Sequence, residues 1–237
     1  MDSHNYLIIG GTSGIGLAIV EILREEGHQL YVTARNRGEL PEDSAVHFFA
    51  HDITEPQFPI EKLADSLQGL VYCPGTIQLK PFMRLQEDDY LEDFRVNFLG
   101  ATAAIRSCLP LLRKSSTGAS IVMFSTVAVT VGMPFHASVA GAKGAIEGLT
   151  RSLAAEFAPQ IRVNAIAPSM TDTRLAQPFL NTEQKSELAK ARHPLKRVGA
   201  PDDIAAMAVF LLMQKSSWIT GQILHVDGGI SGVQLFK

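Results

Sequence analysis

The segment Gly10, Gly11, Thr12, Ser13, Gly14, Ile15, Gly16 has the residue types that phosphate chemistry requires. Glycine lets a backbone turn sharply and come close to a bulky anion, and a helix opened at that point offers N–H donors and a positive dipole end. A glycine triplet by itself is an ordinary turn. Here an apolar run at 6–9 precedes it, and Ile15, Ile19, Ile22 and Leu23 follow at helical spacing, which is the strand–loop–helix setting of a pyrophosphate cradle. A second group recurs at helical spacing further on: His136, Val139 and Lys143. Val139 and Lys143 stand one turn apart on a shared face, and His136 lies two turns before the lysine. Only two of the three can hold or move a proton. A histidine acid beside an ammonium is also weakened, because a nearby positive charge disfavours the imidazolium; the alternative for His136 is a place in a pocket wall.

The elements that must position these groups follow from periodicity. Short apolar, β-branched runs at 6–9, 29–33, 46–50, 69–72, 120–124, 161–166 and 222–226 predict seven strands. Between them run helical stretches, the longest at 87–112, 138–157 and 201–213, with Pro201 and two aspartates forming a helix start and Gly27 ending the first helix. This alternation predicts an α/β fold, a doubly wound sheet of about seven parallel strands with helices on both faces. Ligands of such sheets bind beyond the carboxyl ends of the strands, where the strand order reverses. Residues 1–237 read as a single domain. The stretch 169–196 breaks the rhythm, and within it 174–196 is the expected substrate-loop insertion, a wall of a pocket.

Composition narrows the function. At 237 residues with 46% apolar and 19% charged residues, the chain can bury a substantial core and is far from a disordered one. A net charge of −3 without a basic cluster gives no reason to expect nucleic acid or an anionic membrane as partner. Cys73 and Cys108 form neither a disulfide framework nor a zinc site, so no metal is expected and a reduced, cytoplasmic setting is. No apolar run has the length of a membrane span, and the first residues lack the pattern of a secretory signal.

The glycine spacing, three residues between Gly10 and Gly14 and one between Gly14 and Gly16, resembles that of the short-chain dehydrogenase/reductase family. The likeness runs from Leu7 to Gly229 and is nearest to members similar to 3-oxoacyl-carrier-protein reductases and related sugar or alcohol dehydrogenases. It implies a Rossmann-like fold and a nicotinamide dinucleotide cofactor. Asp52, with Ile53 after it, resembles the aspartate that meets the adenine. Asn97 resembles the helix asparagine of the proton relay, Arg162 to Pro168 the sixth strand with its proline turn, and Val226 to Gly229 the end of the last strand. Thr173, five residues past Pro168, implies a contact to the nicotinamide carboxamide. Gly75 closes Tyr72, Cys73, Pro74, Gly75, where the family usually has Asn-Asn-Ala-Gly, and only the glycine is kept. At the end of the second strand Ala34 takes the place of the expected acid and Arg35 follows it. A guanidinium there suits a 2′-phosphate, where an acid would repel it, so NADP(H) is preferred over NAD(H); otherwise Arg35 is a solvated loop charge.

The resemblance also implies a catalytic set. Lys143 takes the position of the lysine that holds the ribose, Asn97 that of the asparagine, and Thr126 that of the serine whose hydroxyl meets the substrate, with Ser125 as the alternative. The tyrosine position holds Val139, which has no proton to give. Family chemistry is hydride transfer at a carbon bearing oxygen, with the cofactor as hydride source. Two functions follow. One is an NADP(H)-dependent oxidoreductase acting on an unidentified small carbonyl, alcohol or enoyl substrate with non-standard catalytic residues, His136 among them. The other is a dinucleotide-binding sensor or assembly protein without turnover. Relatives commonly form homotetramers or homodimers through the helices after the fourth and fifth strands. The apolar residues at 98–112 and 145–157 suit that, with Trp218 and the tail 233–236 as a second interface.

Overall fold

Each β-branched run becomes a strand, and residue alternation decides which face its side chains serve. In the computed structural model, which describes residues 3–55 and 57–235, the strands are β1 (Asn5–Ile9), β2 (Gln29–Ala34), β3 (Val46–Ala50), β4 (Gly69–Tyr72), β5 (Ala119–Phe124), β6 (Ile161–Pro168) and β7 (Ile223–Val226). They form one parallel sheet in the order β3-β2-β1-β4-β5-β6-β7. Leu7, Ile9, Leu70 and Tyr72 face one side; Tyr6, Ile8 and Val71 face the other. Both sides are covered, as a parallel sheet demands. Helices α1 (Gly14–Glu25) and α8 (Pro201–Leu212) pack on the second face. The first face is covered by α3 (Gly100–Arg113) and α5 (Ala137–Phe157). The strand order reverses between β1 and β4, so the crevice of a doubly wound sheet opens where Gly10 follows β1 and Cys73 follows β4.

The helical stretch at 87–112 is present, with a detail that periodicity does not predict: α2 (Glu87–Phe94) runs through a π-helical turn at Arg95–Leu99 into α3. The cause is local: the Asn97 side-chain amide donates to the Asp93 carbonyl at 2.9 Å, taking the acceptor that a regular turn would give to the backbone. A side chain inserted into the ladder in this way distorts a helix. The insertion after β6 is not a bare loop. It carries α6 (Gln177–Leu180) and α7 (Glu183–Arg192), the latter capped by Thr182, which accepts from the Lys185 N–H at 3.3 Å, with an acid in its first turn and bases in its last. A short helix, α4 (Val127–Val131), follows β5. Trp218 is wholly exposed, and position 236 of the tail lies outside the described residues.

Candidate active site

The glycine loop is built so that only glycine fits. Gly10 adopts φ +77°, and a Cβ there would come within 3.1 Å of the Pro74 ring and 3.3 Å of Cys73 Cβ. A Cβ on Gly16 would overlap the Gly10 carbonyl oxygen. Ser13 caps α1 with extended backbone but makes no side-chain cap bond, so the leading N–H groups of α1 are left for another acceptor. Thr12 is buried and Ile15 lines the crevice. Gly14, at φ +53°, faces Thr173: an added Cβ would lie 3.2 Å from its Cγ2. The loop after β1 and the segment after β6, distant in sequence, therefore meet here. Thr173 also donates weakly to the Thr171 carbonyl at 3.4 Å.

Lys143 reaches the same place from α5. It is 8% exposed, and its ammonium donates to the Phe124 carbonyl at 2.9 Å. Burial pulls its pKa down to about 8, while the nearby Asp93 carboxylate acts in the opposite direction. Cys73 is a protonated thiol, pushed up to about 12 by burial. A Cβ on Gly75 would lie 3.6 Å from Lys143 Nζ and 3.1 Å from Asn97 Oδ1, so the glycine keeps open the gap between lysine and asparagine. Asn97 has no exposure. Its amide donates to the Asp93 carbonyl, the Thr76 carbonyl and Thr76 Oγ at 2.9, 3.2 and 3.1 Å, and its oxygen accepts from the Thr76 N–H at 3.3 Å. Thr76 and Ser138 in turn each donate to the buried Asp93 carboxylate at 2.7 Å.

The hydroxyls divide clearly. Ser125 points into the protein and donates to Glu147 at 2.8 Å. Thr126 caps α4, accepting from the Ala128 N–H at 3.3 Å, and lines the cavity. The Tyr72 hydroxyl is in the core, donating to the Val96 carbonyl at 2.5 Å. Val139 is 3% exposed and lines the cavity beside Lys143. His136 stands just before α5, half-buried at the cavity edge, with Nδ1–H donating to the Pro134 carbonyl at 2.7 Å. Pro168 lines the cavity from the end of β6.

On the nucleotide side, Asp52 spends Oδ1 on its own turn, accepting from the Thr54 N–H at 2.9 Å and its hydroxyl at 2.8 Å. The Thr54 N–H is the main cause of its lowered pKa, with Arg35 contributing. Ile53 packs against the core. Arg35 is exposed just past β2 and, among the described residues, makes no hydrogen bond or ion pair. Arg37 instead donates to the Pro41 carbonyl at 3.0 Å.

The cavity, about 460 Å³, extends from Lys143 and Thr126 under α6 and α7. Its walls are mainly apolar, and among the described residues the ionisable groups that line it are cations, histidines and Cys73, with no carboxylate. Among the lining residues that sequence reasoning did not single out is His193. It follows α7 and is 3% exposed, with Nδ1 2.8 Å from the Ala189 carbonyl and Nε2 2.8 Å from Ser169 Oγ. No periodicity marks it. The only available signal was a histidine ahead of Pro194 near the end of the insertion.

The comparisons with known proteins agree with this architecture. The family model described as enoyl-(acyl carrier protein) reductase matches residues 10–231. A tropinone reductase homolog of Datura stramonium is 34% identical over 242 residues, 94% of this chain and 90% of that protein. The crystal structure of a short chain dehydrogenase family protein from Francisella tularensis superposes with a TM-score of 0.89 at 26% identity, over 98% of this chain and all of the other. The Pseudomonas aeruginosa RhlG/NADP active-site complex superposes with a TM-score of 0.88 at 25% identity, over 98% and 97%.

Proposed function

The chain belongs to the short-chain dehydrogenase/reductase family, and from that premise we propose that it is an NADP(H)-dependent oxidoreductase of a small carbonyl, alcohol or enoyl compound, working without the family's tyrosine. The observation that carries this reading is convergence. The glycine cradle, Gly75, Lys143 and Thr173 come from four separate segments, and a Cβ on Gly14 would press against Thr173 and one on Gly75 would lie toward the lysine. Such a gap, floored by unclaimed helix N–H groups, fits a pyrophosphate and ribose. Gly10, Thr12, Ser13, Gly14, Ile15 and Gly16 would hold the phosphates, Asp52 and Ile53 flank the adenine, Lys143 anchor the ribose, and Pro168 and Thr173 meet the nicotinamide. The bound dinucleotide supplies or accepts the hydride.

Arg35 supports the phosphorylated cofactor, since its guanidinium has no protein partner among the described residues and an acid is missing at Ala34. NADP in the Pseudomonas neighbour is in keeping with this. Thr126 presents a hydroxyl to a substrate oxygen, while the apolar, carboxylate-free cavity favours an uncharged or anionic substrate. Exposed Leu91 and Leu99 on the outer helices support assembly as a homodimer or homotetramer, and the protein is assigned to the cytoplasm.

One observation favours a second reading, a dinucleotide-binding sensor: Val139 offers no proton at the site beside Lys143. Fluorescence titration with NADPH and NADH, then NADPH oxidation against ketones, quinones and enoyl thioesters, separates the two. The enzyme reading expects tighter binding of NADPH and turnover of at least one compound. Binding without turnover, with activity gained in Val139→Tyr, favours the sensor, and no binding of either dinucleotide overturns both.

A further inference from the structure

We propose that Ser169 and His193 form a proton relay serving the substrate oxygen, in the absence of a tyrosine at position 139. This rests on the oxidoreductase reading above. A backbone carbonyl only accepts, so the 2.8 Å contact to Ala189 keeps a proton on His193 Nδ1 in either charge state. The atom that gains and loses a proton is therefore Nε2, and it faces Ser169 Oγ at 2.8 Å. A serine hydroxyl donates and accepts at once, so Ser169 can pass a proton between Nε2 and a third group on its cavity side. The imidazole is held in this orientation. It is 3% exposed, and a Cβ on Gly228 would already press on its Cδ2 at 3.3 Å.

The placement is right for chemistry. Ser169 follows the last residue of β6, at the strand ends where ligands of such a sheet bind. It lines the same cavity as Thr126, Val139 and Lys143. Of the other hydroxyls lining the cavity, Ser125 is committed to Glu147, Thr76 to Asp93, Thr171 to the Ser169 carbonyl and Thr173, more weakly, to the Thr171 carbonyl. Thr126 keeps a proton to offer, but among the described residues its hydroxyl makes no hydrogen bond to a titratable group that could restore that proton. Ser169 has His193.

In the oxidising direction the alcohol's O–H proton moves to Ser169 Oγ as the serine's own proton moves to His193 Nε2. A bound oxidised dinucleotide would accept the hydride of the C–H bond, which would leave the carbonyl. The imidazolium then returns its proton to water. In the reducing direction the imidazolium protonates Ser169, Ser169 protonates the carbonyl oxygen, and the carbon takes the hydride. Ser169 is thus a catalytic residue and His193 a positioning and relay residue acting through it. General acid–base groups of this kind contribute about 10²–10⁴-fold.

The test has a readout that needs no cofactor. Long-range ¹H–¹⁵N spectra of the unliganded protein, with His193 assigned by its loss in His193→Gln, should show the Nδ1-protonated tautomer or, at low pH, the imidazolium. The Nε2 resonance should move in Ser169→Ala. On any panel compound the parent turns over, Ser169→Ala and His193→Gln should each lower kcat by about 10²–10⁴-fold while leaving NADPH affinity within about twofold. The retained affinity shows that the variants are folded. A curved proton inventory in the parent should become linear in His193→Gln, which a merely structural histidine would not cause. A neutral Nε2-protonated tautomer overturns the relay. So does a Ser169→Ala enzyme that keeps its kcat, which leaves the oxidoreductase reading standing. A parent that binds NADPH but turns over nothing overturns that reading and the relay with it.

Discussion

Replacing Lys143 with methionine should change how the protein's stability responds to alkali. In the folded, unliganded chain Lys143 is 8% exposed and its pKa is pulled from 10.5 down to about 8, chiefly by burial. In the unfolded chain the same lysine titrates near its ordinary value. Between those two pH values the unfolded state holds a proton that the folded state has released, so stability rises with pH through that window. Below about pH 8 the folded protein carries the whole cost of a buried ammonium, and above about 10.5 the cost is gone. The fall from 10.5 to about 8 corresponds to about 3 kcal/mol. The stability difference between parent and Lys143→Met should therefore shift by about 3 kcal/mol in the parent's favour from pH 7 to pH 10.5. In melting temperature that is about 6–12 °C for a chain of this size. At pH 7 the variant also loses the bond to the Phe124 carbonyl, a constant offset of about 1–3 kcal/mol that leaves the pH slope untouched. Denaturant unfolding of both proteins, in pairs at each pH, cancels all other titrating groups. A difference that stays flat from pH 7 to 10.5 refutes the reasoning, because it means the ammonium is hydrated in the open crevice.

Three further outcomes follow from particular contacts. Gly16→Ala places a Cβ against the Gly10 backbone, which no side-chain rotation relieves. It should cost about 1–3 kcal/mol in urea unfolding and weaken NADPH binding severely in a fluorescence titration; unchanged affinity would mean the loop opens without harm to the cradle. Arg35→Ala should raise the Kd for NADPH about 10–100-fold, as expected for losing a charge-assisted bond to phosphate, and leave NADH nearly unaffected. Equal losses for both dinucleotides would remove the argument for a 2′-phosphate contact. Ser125→Ala leaves the Glu147 carboxylate without its 2.8 Å donor and should lower stability by about 1–3 kcal/mol with kcat little changed; a large loss of kcat at full stability would assign the substrate hydroxyl to Ser125 rather than Thr126.

Much of the site was legible because its physical cause is local. A glycine loop between a strand and a helix reads the same in sequence and in space, and Gly10, Gly14 and Gly16 show the left-handed or crowded backbone that excludes other residues. Lys143 one turn after Val139 needs only helical geometry. Other parts have causes that no short window contains. Nothing in the sequence around it marks Asp93 as buried, yet it has no exposure, and Thr76 and Ser138 bring it hydroxyls from 17 and 45 residues away. The π-turn at Arg95–Leu99 depends on one amide reaching one carbonyl, a choice that helical periodicity does not encode.

The amino-acid order alone determined the parallel sheet, its two apolar faces and the glycine loop between β1 and α1, because side-chain alternation and backbone freedom act over a few residues. It also determined that position 139 has no proton to offer. Only the tertiary structure decided where the cavity's hydroxyls point. Ser125 turns inward to Glu147 and Thr126 faces the cavity, while Ser169 meets a histidine 24 residues further along. Such pairings depend on how the crossovers lay distant segments side by side, and each bond's strength is set by burial that exists only once the chain has closed around it.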